Sequence, residues 1–327
     1  MHSSRRTHLI LLGAMLAGAL PLRVLAQDAY PNRAIRVIVP QPPGGGFDFV
    51  ARVLADKLGQ VFKPGVVVEN RTGSGTLVGT DLAAKATADG YTLLMGSVSN
   101  LVLNAGLYKN LSYDPVKDFE PIGLAVSYSY TLVARKDLPF GNLAELVAYA
   151  KANPNKVSYA SAGNGSGQHI LAAALWHLAG VQLTHVPYRG AQPAYTDLIG
   201  GRVDVFFDLS PTARTHVDAG SLKALAVSGA TRSPMHPTVP TLRETGVAPL
   251  ELESWFGYFA PARTPAAELN RLRSELRKVI TSPDVMERLE KAGGKPLALV
   301  GDEAKAVLRR DLDRWVPLIK AAGIQPE

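Results

Sequence analysis

Val37-Ile38-Val39-Pro40-Gln41-Pro42-Pro43-Gly44-Gly45-Gly46-Phe47-Asp48 decides how this chain is read. An apolar run stops at prolines, passes three glycines and enters a segment with apolar residues at Phe47, Val50, Ala51, Leu54, Leu58 and Val61. That spacing is helical, so the stretch reads as a strand, a glycine loop and a helix start. Such a turn aims backbone N–H groups at one point, and the helix dipole adds about half a positive charge there. It can hold an anion without a charged side chain. Gln41, Pro43, Gly44, Gly45, Gly46 and Phe47 are its candidate residues. A phosphate loop would continue into Gly-Lys-Ser/Thr, and a dinucleotide fingerprint would read G-x-G-x-x-G; the chain does neither. The plainer alternative is a structural turn between strand and helix.

Strand and helix alternate outward from this turn. Ile35–Val39, Val66–Glu69 and Tyr91–Gly96 read as strands, with helices at Phe47–Phe62 and Thr76–Ala86. This order favours a parallel sheet flanked by helices. Ile122–Ala134 is one long extended run that could cross between two lobes. A second α/β set follows: helix 143–152, strand 157–161, a loop at Gly163–Gly167, helix 168–179, a short strand 186–188, helix 193–199 and strands 203–208 and 222–227. Trp255–Ala260 reads as the return crossing, and helices over 266–280 and 303–322 close the chain. Two such halves with two crossings make a hinged clamshell. Ligands of open α/β sheets sit beyond the carboxyl ends of strands.

The second loop adds Ala162, Gly163, Asn164, Ser166, Gly167, Gln168 and His169 as a matching anion half-site. Ser97, Ser99 and Asn100 end the strand 91–96 and either reach the same cleft or cap the next helix. Asp208 ends an apolar strand; its carboxylate either caps a turn or selects a ligand bearing a hydroxyl, an ammonium or a protonated acid. Catalysis has weak support. The pattern G-x-S-x-G is absent around Ser166, no H-E-x-x-H metal motif occurs, and a hydrolase using Ser166 and His169 is a remote alternative. No cofactor or metal is expected. Gly73-Ser74-Gly75-Thr76-Leu77-Val78-Gly79 is a near miss for a dinucleotide turn.

Residues 1–26 read as an export signal: Arg5 and Arg6, an apolar run Leu9–Leu22, then Val24-Leu25-Ala26 before Gln27. That run is too short to span a bilayer comfortably, which takes about 20 residues. Ser4-Arg5-Arg6-Thr7-His8-Leu9 partly matches a twin-arginine signal, so both that route and the general one stay open. The chain carries +7, and the three arginines of the segment leave +4 on the remainder, too mild a balance to suggest nucleic acid. Cysteine is absent, which excludes disulfides and thiolate metal sites. A chain of 327 residues is long enough to split into two domains.

With these features in place, the chain resembles the substrate-binding receptors of tripartite tricarboxylate transporters, the Bug-type periplasmic receptors, over residues 30–320. The resemblance rests on Tyr30-Pro31-Asn32-Arg33, Ile38-Val39-Pro40, Pro42-Pro43-Gly44-Gly45-Gly46, Asp48, Glu69-Asn70-Arg71 and Asp89-Gly90-Tyr91-Thr92-Leu93-Leu94. Leu107-Tyr108, Tyr113-Asp114-Pro115, Tyr159-Ala160-Ser161-Ala162-Gly163, His185-Val186-Pro187-Tyr188 and Pro240-Thr241-Leu242 extend it. It implies an α/β, two-lobed periplasmic-binding-protein type II fold, each lobe a mixed, mostly parallel sheet flanked by helices. The expected boundaries are a first lobe over 27–126 and 255–327 and a second over 127–254. The resemblance also implies carboxylate capture by the loops at Pro42–Phe47 and Gly163–His169, with Asp208 near the distal part of the ligand. Selectivity is expected from Phe47, Ser97, Tyr128, Ser166, His169, Tyr188 and Asp208. The expected product is a non-catalytic, monomeric periplasmic receptor for a di-, tri- or aromatic carboxylate. Its expected partner is a membrane transporter, with a sensor kinase as the alternative. Three places depart from the family pattern: Gln41, Phe47 and Ser127-Tyr128-Ser129-Tyr130. They suggest that Phe47 and Tyr128 flank the cleft and favour an aromatic carboxylate.

Overall fold

The computed structural model describes residues 30–73 and 76–324. The export segment, together with Ser74 and Gly75 of the near-fingerprint, lies outside the described residues. Strand β1 (Ile35–Val39) is hydrogen-bonded in parallel to β2 (Val66–Asn70) on one side and β3 (Thr92–Ser97) on the other. β1 and β3 are almost wholly buried, as expected of a parallel sheet covered on both faces. Helix α1 (Gly46–Val61) returns between β1 and β2, and α2 (Leu77–Ala84) between β2 and β3. The apolar stripe that begins at Phe47 is the buried face of α1.

After β3 the chain makes a π-helical turn, Ser99–Leu103, which runs into the short α3 (Asn104–Leu107). It then enters β4 (Phe119–Arg135), a strand of 17 residues. Along Phe119–Ser129, β4 pairs antiparallel with β9 (Glu253–Pro261), which in turn pairs with β3. From Tyr130 onward it pairs instead with β7 (Val205–Leu209) and β8 (Leu222–Val227). One strand therefore belongs to two sheets, and the change of partner falls between Ser129 and Tyr130. Ser228 fastens this point: its Oγ accepts from Tyr130 N at 2.9 Å and donates to Leu252 O at 2.5 Å. Of the two crossings expected from the sequence, β4 runs through both sheets, whereas β9 pairs within the first sheet alone.

The second sheet continues from β7 to β5 (Ser158–Ser161) and β6 (Thr184–Pro187), all three parallel. Helices α4 (Leu143–Ala152), α5 (Gly167–Ala179) and α6 (Ala191–Ile199) pack around it. The C-terminal helices α8 (Ala266–Ile280) and α10 (Asp302–Ala321) return to the first sheet. The sequence reading missed α7 (Ser210–Asp218), α9 (Pro283–Lys291) and the edge strand β10 (Lys295–Val300). Each is short and buries little: α7 hides only Ser210 and Ala213, and α9 only Val285 and Leu289. Two buried side chains make no readable period.

Candidate functional site

β1 ends at Val39, and the chain turns through Pro40–Gly45 into α1. Gly44 sits at φ +86°, a left-handed conformation that favours glycine. Gly45 is the N-cap and offers no side-chain acceptor, so the first N–H groups of α1 have no cap. Asp48 braces the loop from behind. Its carboxylate accepts from Gly44 N (3.0 Å), Asn70 Nδ2 (3.0 Å) and Arg52 Nε (3.0 Å). The Arg52 hydrogen bonds above all hold Asp48 down to about 2, below the usual carboxylate range. Asn70 also donates to Gln41 O at 3.0 Å, tying the end of β2 to the loop. Gly44 N–H is thus committed internally, and the uncapped N–H groups are those that open α1. The helix that carries this loop is buried beneath it, while Pro43 and Gly44 are exposed.

In the second sheet, β5 runs into Ala162–Ser166 and then α5. Ser166 is the N-cap and accepts from His169 N at 3.2 Å. Gly163 (φ +125°) and Gly165 (φ +75°) bend the loop. Gly165 N donates to His169 Nδ1 at 3.2 Å, and Gly163 N to Ser161 Oγ at 3.2 Å. Burial, with the neighbouring His185 second, pulls His169 down to about 4. Its Nδ1 is therefore an acceptor at neutral pH. Ser166 Oγ meets the His169 main chain and the ring meets Gly165, which is a folded loop rather than a serine–histidine nucleophile pair.

Both loops touch the opposite half of the molecule. A Cβ on Gly46 would lie 3.8 Å from Leu209 Cδ1, and one on Gly165 would lie 2.6 Å from Leu107 Cδ2. A Cβ on Gly167 would overlap the hydroxyl of Tyr130 on β4. Each helix start therefore packs against the other half, Gly46 near Leu209 and Gly165 near Leu107.

Asp208 lies at the end of β7, 2% exposed. Gln168 Nε2, from the first turn of α5, donates to its Oδ1 at 3.1 Å. The Tyr195 hydroxyl and the Leu209 main chain also act on this carboxyl. Burial pushes the Asp208 carboxyl up to about 6. A buried carboxyl can donate when protonated and repels an anion when ionised.

The remaining candidates divide. Ser97 and Asn100 are fully buried and bond within the chain: Asn100 Oδ1 accepts from Ser97 N at 2.8 Å, and its Nδ2 donates to Thr80 Oγ1 at 3.0 Å. Ser97 Oγ accepts from Ser99 N at 3.3 Å, while the helical turn that follows has Val98 at its N-cap and no side-chain cap. Tyr188 donates to Asp197 Oδ2 at 2.9 Å, and burial with that carboxylate pushes its hydroxyl up to about 12. Asn164 lies half-buried in the second loop.

Phe47 and Tyr128 require a correction. Phe47 is 3% exposed and Tyr128 5%, and both rings pack edge-on against Phe256, with centroids at 5.1 Å and 5.9 Å. They do not flank an open cleft. Phe47 heads the apolar stripe of α1, and that periodicity already assigned it to the core. Sequence reasoning also passed over Asn70 and Tyr130 as site residues. Asn70 left no local signal, because its partners lie on another strand end. Tyr130 stands out in the sequence only within the departure Ser127-Tyr128-Ser129-Tyr130, yet its hydroxyl lies against Gly167.

Two sheets that share β4, each with a strand–glycine loop–helix unit, fit the class of two-lobed solute-binding proteins. The chain belongs to the tripartite tricarboxylate transporter receptor family: the model of the "Tripartite tricarboxylate transporter family receptor" matches residues 50–324. A UPF0065 protein from the tcbD-tcbE intergenic region of Pseudomonas sp. strain P51 is 39% identical, with 98% of this chain and 97% of that protein covered. That alignment takes in almost the whole chain, beyond the span of the family match. The solved structure of R. palustris Rpa4515 with adipate superposes with a TM-score of 0.82 at 31% identity, covering 91% of this chain and all of the other. MatC (Rpa3494) from Rhodopseudomonas palustris with bound malate gives 0.79 at 30% identity, covering 89% of this chain and all of the other. Among the described residues no helix is long and apolar enough to cross a membrane, and no cluster of metal-ligating side chains occurs.

Proposed function

We propose that this protein is an exported, non-catalytic receptor that captures a small aliphatic dicarboxylate between its two halves and presents it to a tripartite membrane transporter. The observation that carries the reading is a glycine loop leading into a helix N-terminus in each sheet, α1 at Gly46 and α5 at Gly167. Each favours one negative charge by about 0.3–1 kcal/mol through the dipole, besides the hydrogen bonds of its free N–H groups. A ligand with a carboxylate at each end satisfies both, and only when the halves are closed. Relatives solved with adipate and with malate support the class. The burial of Phe47 and Tyr128 removes the argument for an aromatic ligand and leaves the aliphatic one. Gln168 and Asp208 then meet the middle or far end of the ligand. Side chains at Ser166, His169 and Tyr188 shape the second loop.

Isothermal titration with adipate, malate, citrate, benzoate and butyrate tests this reading. Saturable binding of a dicarboxylate, with butyrate weaker by tenfold or more (about 1.4 kcal/mol), is expected. Benzoate binding tighter than every aliphatic diacid would overturn it. Transport is tested separately by uptake of the bound acid into cells with and without the gene.

A further inference from the structure

A second cavity lies at the hinge, and it shares no lining residue with either glycine loop. Its volume is about 470 Å³, within the range of small-molecule sites. Its floor is a pair of neighbouring strands: Ser127 and Ser129 from β4 and Glu253 from β9. One wall, with Met235, belongs to the loop after β8; the other, with Glu290 and Lys295, comes from the end of α9 and the start of β10. The two walls meet at Gly293, where a Cβ would lie 2.5 Å from Pro211 Cγ and 3.1 Å from Met235 Cγ. Both halves of the molecule therefore enclose this space.

The lining holds two carboxylates, Glu253 and Glu290, and two cations, Arg232 and Lys295. Glu253 Oε2 accepts from Ser127 Oγ at 2.8 Å, and among the described residues neither Glu253 nor Glu290 forms an ion pair. Arg232, which also lines the cavity, is committed to Glu244 at 3.0 Å. Two carboxylates thus face one uncommitted cation, Lys295. Pro234, Met235 and Pro296 supply apolar walls. An ammonium group on a short aliphatic stem matches both features: its head meets Glu253 and its stem lies along the proline and methionine side chains.

We propose that this hinge cavity binds a small organic ammonium ion, at a site separate from the carboxylate cleft. Because both halves line it, its occupant and the cleft ligand are linked: each alters the affinity of the other by the same factor. A hydroxyl chain runs from the cavity to the end of β7, with Ser210 Oγ 2.9 Å from Ser129 Oγ and 2.8 Å from Thr131 Oγ1. Ser210 stands two residues beyond Asp208.

The test is titration of the purified protein with 1,4-diaminobutane at low salt, with butyrate as the probe of opposite charge. Saturable binding of the diamine is expected, and butyrate should not compete with it for the cavity. Glu253→Gln should weaken it tenfold or more, about 1.4 kcal/mol. Met235→Lys, which places an ammonium in the cavity by substitution, should abolish it and does not depend on the Glu253 variant folding. Absence of diamine binding overturns the proposal. So does binding that neither variant weakens. Neither result touches the carboxylate reading, which has its own probes and its own loops.

Discussion

The imidazole rings of His169 and His185 lie parallel, with centroids 4.0 Å apart and 3° between their planes. Tyr159 continues the stack, 4.9 Å from His185, whose Nε2 lies 2.7 Å from Ser161 Oγ. The stack stands directly beneath the Gly163–His169 loop. Two stacked rings this close cannot both carry charge cheaply, and His169 uses its bare Nδ1 to hold Gly165 N–H.

Acid should therefore loosen this loop. The His169 pKa is lowered on folding, from 6.5 to about 4. The unfolded chain binds the proton more readily, so the stabilisation is complete above about pH 6.5 and is lost as the pH falls from there toward about 4. Urea midpoints at about pH 7.5 and pH 5 check this. The decrease between them should shrink in His169→Gln; an equal decrease in both proteins would remove His169 from the account.

Asp208 should set an opposite pH dependence on binding. Its carboxyl titrates near 6, raised by burial. Above that pH it is an anion facing an anionic ligand, and below it becomes a donor. Dicarboxylate affinity should thus rise as the pH falls from about 8 to about 6, and Asp208→Asn should flatten the profile. Titration of adipate across that range reads both.

Removing the brace behind the first loop should cost both stability and binding. Asp48→Ala removes the acceptor of Gly44 N, one of the two acceptors of Asn70 Nδ2 and the ion-pair partner of Arg52. The expected loss is about 1–3 kcal/mol, since donors are left unmet at a buried side chain. Ligand affinity should fall further than Tm alone accounts for, because the loop that presents the free N–H groups is no longer fixed.

Gly167→Ala isolates one steric contact. Its backbone is helical, so alanine is locally acceptable, but the added methyl meets the Tyr130 hydroxyl. A loss of about 1–3 kcal/mol is expected from the overpacking. The double variant with Tyr130→Phe should recover most of it. A thermal melt of the single and double variants decides, and failure of the rescue would locate the strain elsewhere.

The parts of the molecule carried by local pattern were legible in the sequence. The turn at Pro40–Phe47 and the loop at Gly163–Gly167 announce themselves through glycine, and the strand–helix alternation through period. What escaped depends on residues distant in the chain. Asp48 and Asn70 meet across 22 positions, and nothing near either marks the pair. The assignment of Phe47 and Tyr128 to the cleft weighed position in a motif above position on a helix face. Phe256, the ring that packs on both, comes 209 residues after Phe47 and 128 after Tyr128. The hinge cavity was equally invisible, because it is assembled from a loop after β8, a helix end and two strands.

The strand order has a consequence for how the chain acquires its shape. β9 is the neighbour of β3, with Leu94 opposite Phe259, so the first sheet cannot close until its last members emerge. The half begun first is finished last. The intervening sheet has its parallel strands close in sequence and can condense earlier. Loop-closure entropy makes the distant pairing the slow step. A chain passing through a membrane from its N-terminus would thus stay incomplete on the far side until release, and truncations before β9 should yield an unpaired, sticky edge rather than a stable fragment.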